Sequence, residues 1–79
     1  MRKVFSAKLK ELGHGTIVKL EKEEYGRVSI LHDNSTGLTP ITKNGTELKR
    51  FLYGDFSGFS FVKISELPDN MQFEVVEQR

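Results

Sequence analysis

The order of apolar and polar positions predicts β-strands in the first half of the chain. Residues 16–20 are rich in β-branched side chains, and in residues 25–31 polar side chains alternate with Val28 and Ile30. Runs of this kind between turn-forming residues are typical of strands. The charged residues 21–24 that separate the two runs predict the tip of a β-hairpin.

The last third of the chain shows a similar pattern. Residues 59–64 are aromatic and β-branched. In residues 71–76 the large apolar side chains occupy alternate positions, at Met71, Phe73 and Val75. The Pro-Asp-Asn sequence between the two runs favours a turn. We therefore expect two further strands here.

A polar segment and a short apolar run lie between these pairs of strands. Every residue in 32–37 is polar or favours turns, which predicts a loop. Residues 38–43 predict a short edge strand, because Pro40 has no N–H to donate to a central ladder. Asn44 and Gly45 then predict a tight turn.

The segment near the N-terminus fits two kinds of element. Phe5, Leu9 and Leu12 have helical spacing. This spacing favours a short helix over residues 3–12, which the glycine directly after it would end. The alternation of side chains in residues 3–9 also fits a strand.

Residues 46–53 are open to two interpretations as well. Leu48, Phe51 and Leu52 have helical spacing, which favours a helix. Thr46 is a suitable N-cap for that helix. The rival is a strand that returns from the preceding turn.

Together these elements predict four or five strands with one or two short helices. We expect one small domain over residues 1–79, with a β-rich α+β fold that forms a small antiparallel β-barrel or sandwich. The side chains expected to form its core are Val18, Leu20, Val28, Ile30, Phe61, Val62, Ile64, Phe73 and Val75.

The first hairpin resembles a known family. Residues 15–20 (Gly-Thr-Ile-Val-Lys-Leu) and 25–30 (Tyr-Gly-Arg-Val-Ser-Ile) are similar to the opening hairpin of KOW-type SH3-like small barrels. Residues 9–13 are similar to the segment that often enters such barrels. Residues 21–24 replace the glycine-rich turn of the family, so the resemblance implies an SH3-like fold and not an RNA-binding role.

Composition and charge limit the compartment and the class of ligand. The chain has 12 basic and 11 acidic residues and no cysteine. The resulting net charge of +1 excludes a strongly cationic nucleic-acid arm. Lys8, Lys10 and Glu11 interrupt the apolar segment that a signal peptide would need. We therefore expect a cytoplasmic protein, and such a chain, starting at its own Met, would suit a small accessory protein of a phage or a bacterium.

Residues that could support catalysis or bind a metal are sparse. No spacing matches a nucleophile elbow, a phosphate loop or a helical metal motif. A zinc site built from His14, His32 and Asp33 would need loops to converge, because zinc takes three or four protein ligands. We expect no enzyme activity, no metal, no cofactor, no small-molecule substrate and no membrane contact.

A cluster of aromatic residues is the most unusual feature of the sequence. Five of the eight aromatic residues lie between positions 51 and 61. On a strand Phe59 and Phe61 share one face, where they would fill the core, contact a protein or stack on bases. We expect Phe61 to be structural and Phe59, next to a glycine turn, to be exposed. The candidate binding residues are Phe59, Tyr53, Phe56, Lys49, Arg50 and Lys63.

These features predict a non-catalytic binding module. The near-neutral net charge favours contact with another protein or with a second copy of this chain, because nucleic-acid affinity depends on neutralised phosphates. The protein would then act as an adaptor, an inhibitor or a self-associating subunit. The alternative is a nucleic-acid-binding small barrel that uses aromatic stacking and scattered basic residues.

Overall fold

The computed structural model describes residues 2–20 and 23–78. Its six strands are β1 (Arg2–Phe5), β2 (Ile17–Lys19), β3 (Tyr25–Ile30), β4 (Thr36–Ile41), β5 (Val62–Lys63) and β6 (Gln72–Glu77). Its 3₁₀ helices are η1 (Ser6–Glu11), η2 (Gly54–Phe56) and η3 (Ile64–Glu66). The strands form one antiparallel sheet in the order β1-β6-β2-β3-β4-β5. The prediction of a small, mostly β antiparallel fold with few helices is confirmed.

Strands β2 to β5 form a meander, and the last strand returns to its start. Each strand of the meander pairs with the next, and β6 pairs with β2 on one side and β1 on the other. The β2–β6 register shifts between Ile17 and Val18, as at a β-bulge, which bends a strand. Within residues 2–20 and 23–78, β1 and β5 do not pair, so the sheet is not closed into a barrel.

The core joins the sheet to η1 and to the segment that follows η3. Helix η1 packs against both β4 and η3. The buried apolar side chains of this cluster are Leu9, Leu12, Val18, Leu20, Val28, Leu38, Phe51, Val62, Leu67 and Phe73. Full burial of one such large side chain contributes about 1.5–3 kcal/mol to stability.

Most of the predicted core residues lie in this cluster or pack against it. Ile64 and Val75 are partly buried against it, and Phe61 is half-buried. Ile30 was predicted wrongly and is 40% exposed. It is the last residue of β3 and pairs with Thr36 at the end of the sheet, where burial ceases.

The short helix predicted for residues 3–12 forms only over Ser6–Glu11, and the alternative strand forms over Arg2–Phe5. Arg2–Phe5 form β1, which pairs with β6, and the tighter helix η1 follows. The Ser6 N–H donates to the Met71 carbonyl (3.2 Å), and the Ser6 hydroxyl donates to the Pro68 carbonyl (3.0 Å). Pairing with a distant strand and turn therefore outweighs the local helical spacing.

Residues 46–53 form no helix, so the helical interpretation is wrong. Glu47 makes an isolated bridge to Ile41, and the Leu48 N–H donates to the Pro40 carbonyl (2.9 Å). The chain thus returns briefly along β4, as the rival interpretation expected. The return is too short to form a regular strand.

Strand β4 is not an edge strand, although it contains Pro40. It lies between β3 and β5, but β5 reaches only Gly37 and Leu38. The Pro40 carbonyl accepts the N–H of Leu48 on the side that β5 leaves free. Because N–H and carbonyl of one residue point the same way, the missing N–H costs no bond to β3. Of the strand predicted for residues 59–64, only Val62–Lys63 form strand β5.

Candidate functional site

A loop whose ends meet at Phe51 carries half of the predicted binding residues. The Phe51 side chain is buried, at 1% exposure. Its N–H donates to the Phe59 carbonyl and its carbonyl accepts the Gly58 N–H, both at 2.8 Å. Phe51 therefore anchors both ends of the loop to the core. We call residues 51–59 the aromatic loop.

Backbone bonds and two glycines order the interior of the aromatic loop. The Phe59 N–H donates to the Phe56 carbonyl (2.9 Å) directly after η2. Gly54 and Gly58 have φ angles of +74° and +92°, in the left-handed region that glycine adopts without steric cost. The loop is thus a defined structure rather than a simple connection.

Glu24 ties the aromatic loop to the β2–β3 hairpin. This residue is only 8% exposed. Its Oε2 accepts the N–H groups of Leu52 (2.8 Å) and Tyr53 (3.0 Å). Hydrogen bonds to an ionised acceptor are stronger than those between neutral groups. The carboxylate therefore fixes the backbone from which Tyr53 projects.

Sequence reasoning missed the role of Glu24 and assigned it to the charged hairpin tip. Gly26 and Val28 are buried at alternate positions of β3, and Glu24 precedes them with the same period. That alternation is the signal that would have placed Glu24 on the buried face. Residues 21–22 of the predicted tip lie outside the described residues.

The large apolar side chains of the aromatic loop outside Phe51 are those of Leu52, Tyr53, Phe56 and Phe59, and we call these four residues the aromatic patch. Leu52 is 54% exposed, Tyr53 55% and Phe59 44%, while Phe56 is half-buried. The rings of Phe56 and Phe59 meet edge to face, with 6.4 Å between their centroids. The structure thus brings the three predicted aromatic binding residues onto one loop.

Phe61 packs outside this patch. A Cβ atom built on Gly37 would collide with the Phe61 ring and with the Val62 carbonyl oxygen. The Phe61 ring therefore lies directly against the backbone of β4. Its role is structural contact, whereas Phe59 is more exposed.

The three predicted basic residues are exposed and do not form one cluster. Lys63 pairs with Gly37 near the start of β4. Lys49 and Arg50 follow the residue that bonds to Pro40, near the other end of β4. Three residues along a strand span about 10 Å. The cations are therefore divided between two places.

A cavity of about 170 Å³ adjoins the aromatic patch. Its lining includes Leu20, Glu24, Tyr53, Asp55, Phe56 and Met71. None of the described lining residues is basic. A wider, open groove of about 540 Å³ shares Leu20 and Met71 with the cavity and is also lined by Lys3, Lys19, Glu23 and Glu74. The cavity is acidic and partly aromatic, whereas the groove has mixed charge.

The side chains of His14 and Asp33 each bond to nearby backbone groups, and no contact joins them in the described residues. His14 Nδ1 accepts the Ile30 N–H (2.9 Å). The Asp33 carboxylate accepts the hydroxyl (2.6 Å) and the N–H (3.0 Å) of Ser35, and these bonds lower the pKa of Asp33 below 3.8. The part of the chain that the structure describes contains no group of three or more His, Asp or Glu residues suited to a metal ion.

No protein-family model, curated protein or solved structure matches the chain. Of the helices that the structure describes, none has the length and apolar character needed to cross a membrane. The geometry of the aromatic loop and its cavity is therefore the basis on which a function can be proposed.

Proposed function

We propose that the protein is a non-catalytic binding module that contacts another protein through the aromatic patch. The observation that carries this proposal is the exposure of three large apolar side chains, Leu52, Tyr53 and Phe59, on one ordered loop. Grouped apolar side chains at the surface of a small domain are typical of interaction sites. Aromatic residues are also enriched in protein interfaces, and tyrosine among the residues that dominate binding energy.

The order of the aromatic loop supports this role. Phe51 bonds both ends of the loop, and Glu24 bonds the backbone at Leu52 and Tyr53. A surface that is ordered before association loses less conformational entropy when it binds. The aromatic patch is therefore suited to contact a partner without first folding around it.

Charge near the patch favours a protein over a nucleic acid. Glu24 and Asp55 line the adjoining cavity, where their negative charge opposes phosphate. Lys63 is separated from Lys49 and Arg50 along β4. Dispersed cations neutralise few phosphates and so contribute little nucleic-acid affinity. Base stacking on the patch, beside the latter two cations, is the rival function.

We also propose an SH3-like architecture for the sheet. After the meander of β2 to β5, strand β6 pairs with β2. The first and last strands of the segment from β2 to β6 are therefore neighbours, as a small barrel requires. The resemblance of residues 15–30 to the KOW-type hairpin supports the same assignment. Nuclear Overhauser contacts between β1 and β5 in solution would show that the sheet closes into a barrel, and their absence would show that it stays open.

Capture from a cell lysate tests the proposed function. We would compare the wild-type protein with a Tyr53→Ala/Phe59→Ala variant, after nuclease treatment. The control is Val76→Ala, because Val76 is similarly exposed on β6. Truncating dominant contact residues costs about 2 kcal/mol or more, so the patch variant should bind about 30-fold more weakly or worse. Sedimentation of the purified protein tests whether the partner is a second copy.

Two results would contradict the proposal. One is equal capture of the same protein by the wild type and the patch variant. The other is DNA or RNA retained from a lysate without nuclease treatment, with binding that falls steeply between 50 and 200 mM salt. Six to ten phosphate contacts would lose about 10³–10⁵ in affinity over that range. Protein contact through an apolar patch should lose far less.

A further inference from the structure

The cavity beside the aromatic patch combines aromatic rings with carboxylates. Tyr53 and Phe56 supply the rings, and Glu24 and Asp55 supply the carboxylates. No positively charged side chain is found among the described residues that line it. Aromatic faces and carboxylates both attract cations. The lining is therefore complementary to a positive group.

With respect to residues 2–20 and 23–78, Glu24 keeps unused capacity to accept hydrogen bonds. Its Oε2 binds the N–H groups of Leu52 and Tyr53, but Oε1 accepts no bond from the described residues. An ionised carboxylate offers about four lone-pair sites. A carboxylate that is largely removed from water gains most from a partner that carries the opposite charge.

We propose that this cavity takes a basic side chain, the ammonium of a lysine or the guanidinium of an arginine, from the partner protein. The inference rests on the proposed function and names the chemistry of the partner. A volume of about 170 Å³ is well below the roughly 300–1,000 Å³ of small-molecule pockets, which suits one inserted side chain.

The two kinds of wall match the two parts of such a side chain. Leu20 and Met71 provide apolar surface for the methylene stem, which lysine and arginine commonly bury. Tyr53 and the two carboxylates provide partners for the charged head. Arginine presents five donors in a planar fork and lysine three on a compact head, so comparing the two identifies the preferred group.

Titrations followed by amide NMR spectra test this proposal. The probes are Nα-acetyl-lysine amide and Nα-acetyl-arginine amide, with Nα-acetyl-norleucine amide as the uncharged control. The reporters are the amide signals of Leu52 and Tyr53, which bond to Glu24. We expect saturable shifts with at least one cation, at a Kd on the order of 1 mM or weaker for so small a ligand, and none with norleucine.

Matched variants assign the binding to the cavity. Asp55→Asn should weaken binding of the cation about 1.5- to fivefold, as loss of an exposed charge partner does. Tyr53→Leu should weaken it about two- to fivefold by removing the ring. Glu11→Gln removes one exposed carboxylate outside the cavity lining and should leave affinity unchanged. All three residues are exposed, and thermal melts verify that each variant is folded.

Several outcomes would overturn the inference. These are equal shifts with norleucine, no saturable shift with either cation, and unchanged cation affinity in Asp55→Asn and Tyr53→Leu. If the probes fail while Tyr53→Ala/Phe59→Ala still loses the partner, the inference falls and the proposed function stands. If that variant captures its partner normally, the proposed function itself fails.

Discussion

Replacing Gly37 with alanine tests the packing of Phe61 and Val62 against strand β4. A Cβ atom at this position would collide with the Phe61 ring and with the Val62 carbonyl oxygen. Gly37 is not among the residues with positive φ, so alanine would meet no backbone strain. The predicted loss of stability therefore comes from the collision and not from backbone strain.

The expected magnitude follows from two opposing effects. Adding atoms to a packed site costs about 1–3 kcal/mol, and a backbone carbonyl cannot rotate away to relieve the collision. Alanine in place of glycine within a strand offsets about 0.5–1 kcal/mol of that cost. Because the ring and the carbonyl both obstruct the added atom, the upper end of the collision cost applies, and we expect a net loss of about 2 kcal/mol. A domain of this size has only about 3–5 kcal/mol in total, so the loss is a large part of it.

Urea unfolding followed by circular dichroism measures this loss. In thermal melts it should appear as a decrease of about 8–16 °C in Tm, since 1 kcal/mol corresponds to about 4–8 °C here. Gly26→Ala is the control in the neighbouring strand. A Cβ atom there would lie 3.4 Å from the Leu20 side chain and 3.5 Å from Leu38, which is ordinary contact. It should change stability by less than about 1 kcal/mol.

A second substitution separates the two collisions. In a Phe61→Leu background the ring is absent and the Val62 carbonyl remains, so Gly37→Ala should cost less there than in the wild type. Unchanged stability in Gly37→Ala, or a greater loss in Gly26→Ala, would refute the packing described here. If Gly37→Ala costs nothing in the Phe61→Leu background, the carbonyl contact carries no cost.

Three further predictions concern the loop and the turns. In thermal melts Phe61→Ala should lose stability towards the lower end of the about 3–5 kcal/mol of a buried phenylalanine, and Phe59→Ala about 1 kcal/mol or less; equal losses would contradict this. Glu24→Gln exchanges a charged acceptor for a neutral one and should cost about 1–2 kcal/mol in urea unfolding; no loss would contradict the stabilising role of the Glu24 bonds to the aromatic loop. The lowered pKa of Asp33 stabilises the fold above pH 3.8, and this contribution is lost as the pH falls through the folded pKa. Asp33→Asn should lack that part of the acid dependence, and identical acid unfolding curves would contradict it.

Local sequence patterns determined the regular strands of the sheet. Strand β2 follows from its β-branched residues, and β3 and β6 follow from the alternation of apolar and polar side chains, which also identifies Val28 and Phe73 as buried. The turn at Gly58 likewise indicated that Phe59 lies at an uncovered position. These features depend on residues that are close in sequence, so a single sequence contains the information.

The candidate site could be predicted only in part. The sequence identified Tyr53, Phe56 and Phe59 because aromatic residues are concentrated there. It grouped Lys63 with the cations near position 50, and strand register places that residue elsewhere. It missed the cavity, because the lining comes from a hairpin, a loop and a turn that meet only in the folded chain.

Contacts between distant residues decided the remainder. Glu24 can be buried because N–H groups 28 and 29 positions away replace hydrogen bonds that its carboxylate would otherwise make to water. The Ser6 hydroxyl donates to a carbonyl 62 positions away, and a Cβ atom at Gly37 would collide with the Phe61 ring. A sequence specifies the chemistry of each side chain, but which distant group covers it or bonds to it depends on packing that many residues determine together. That pairing is what the tertiary structure decided.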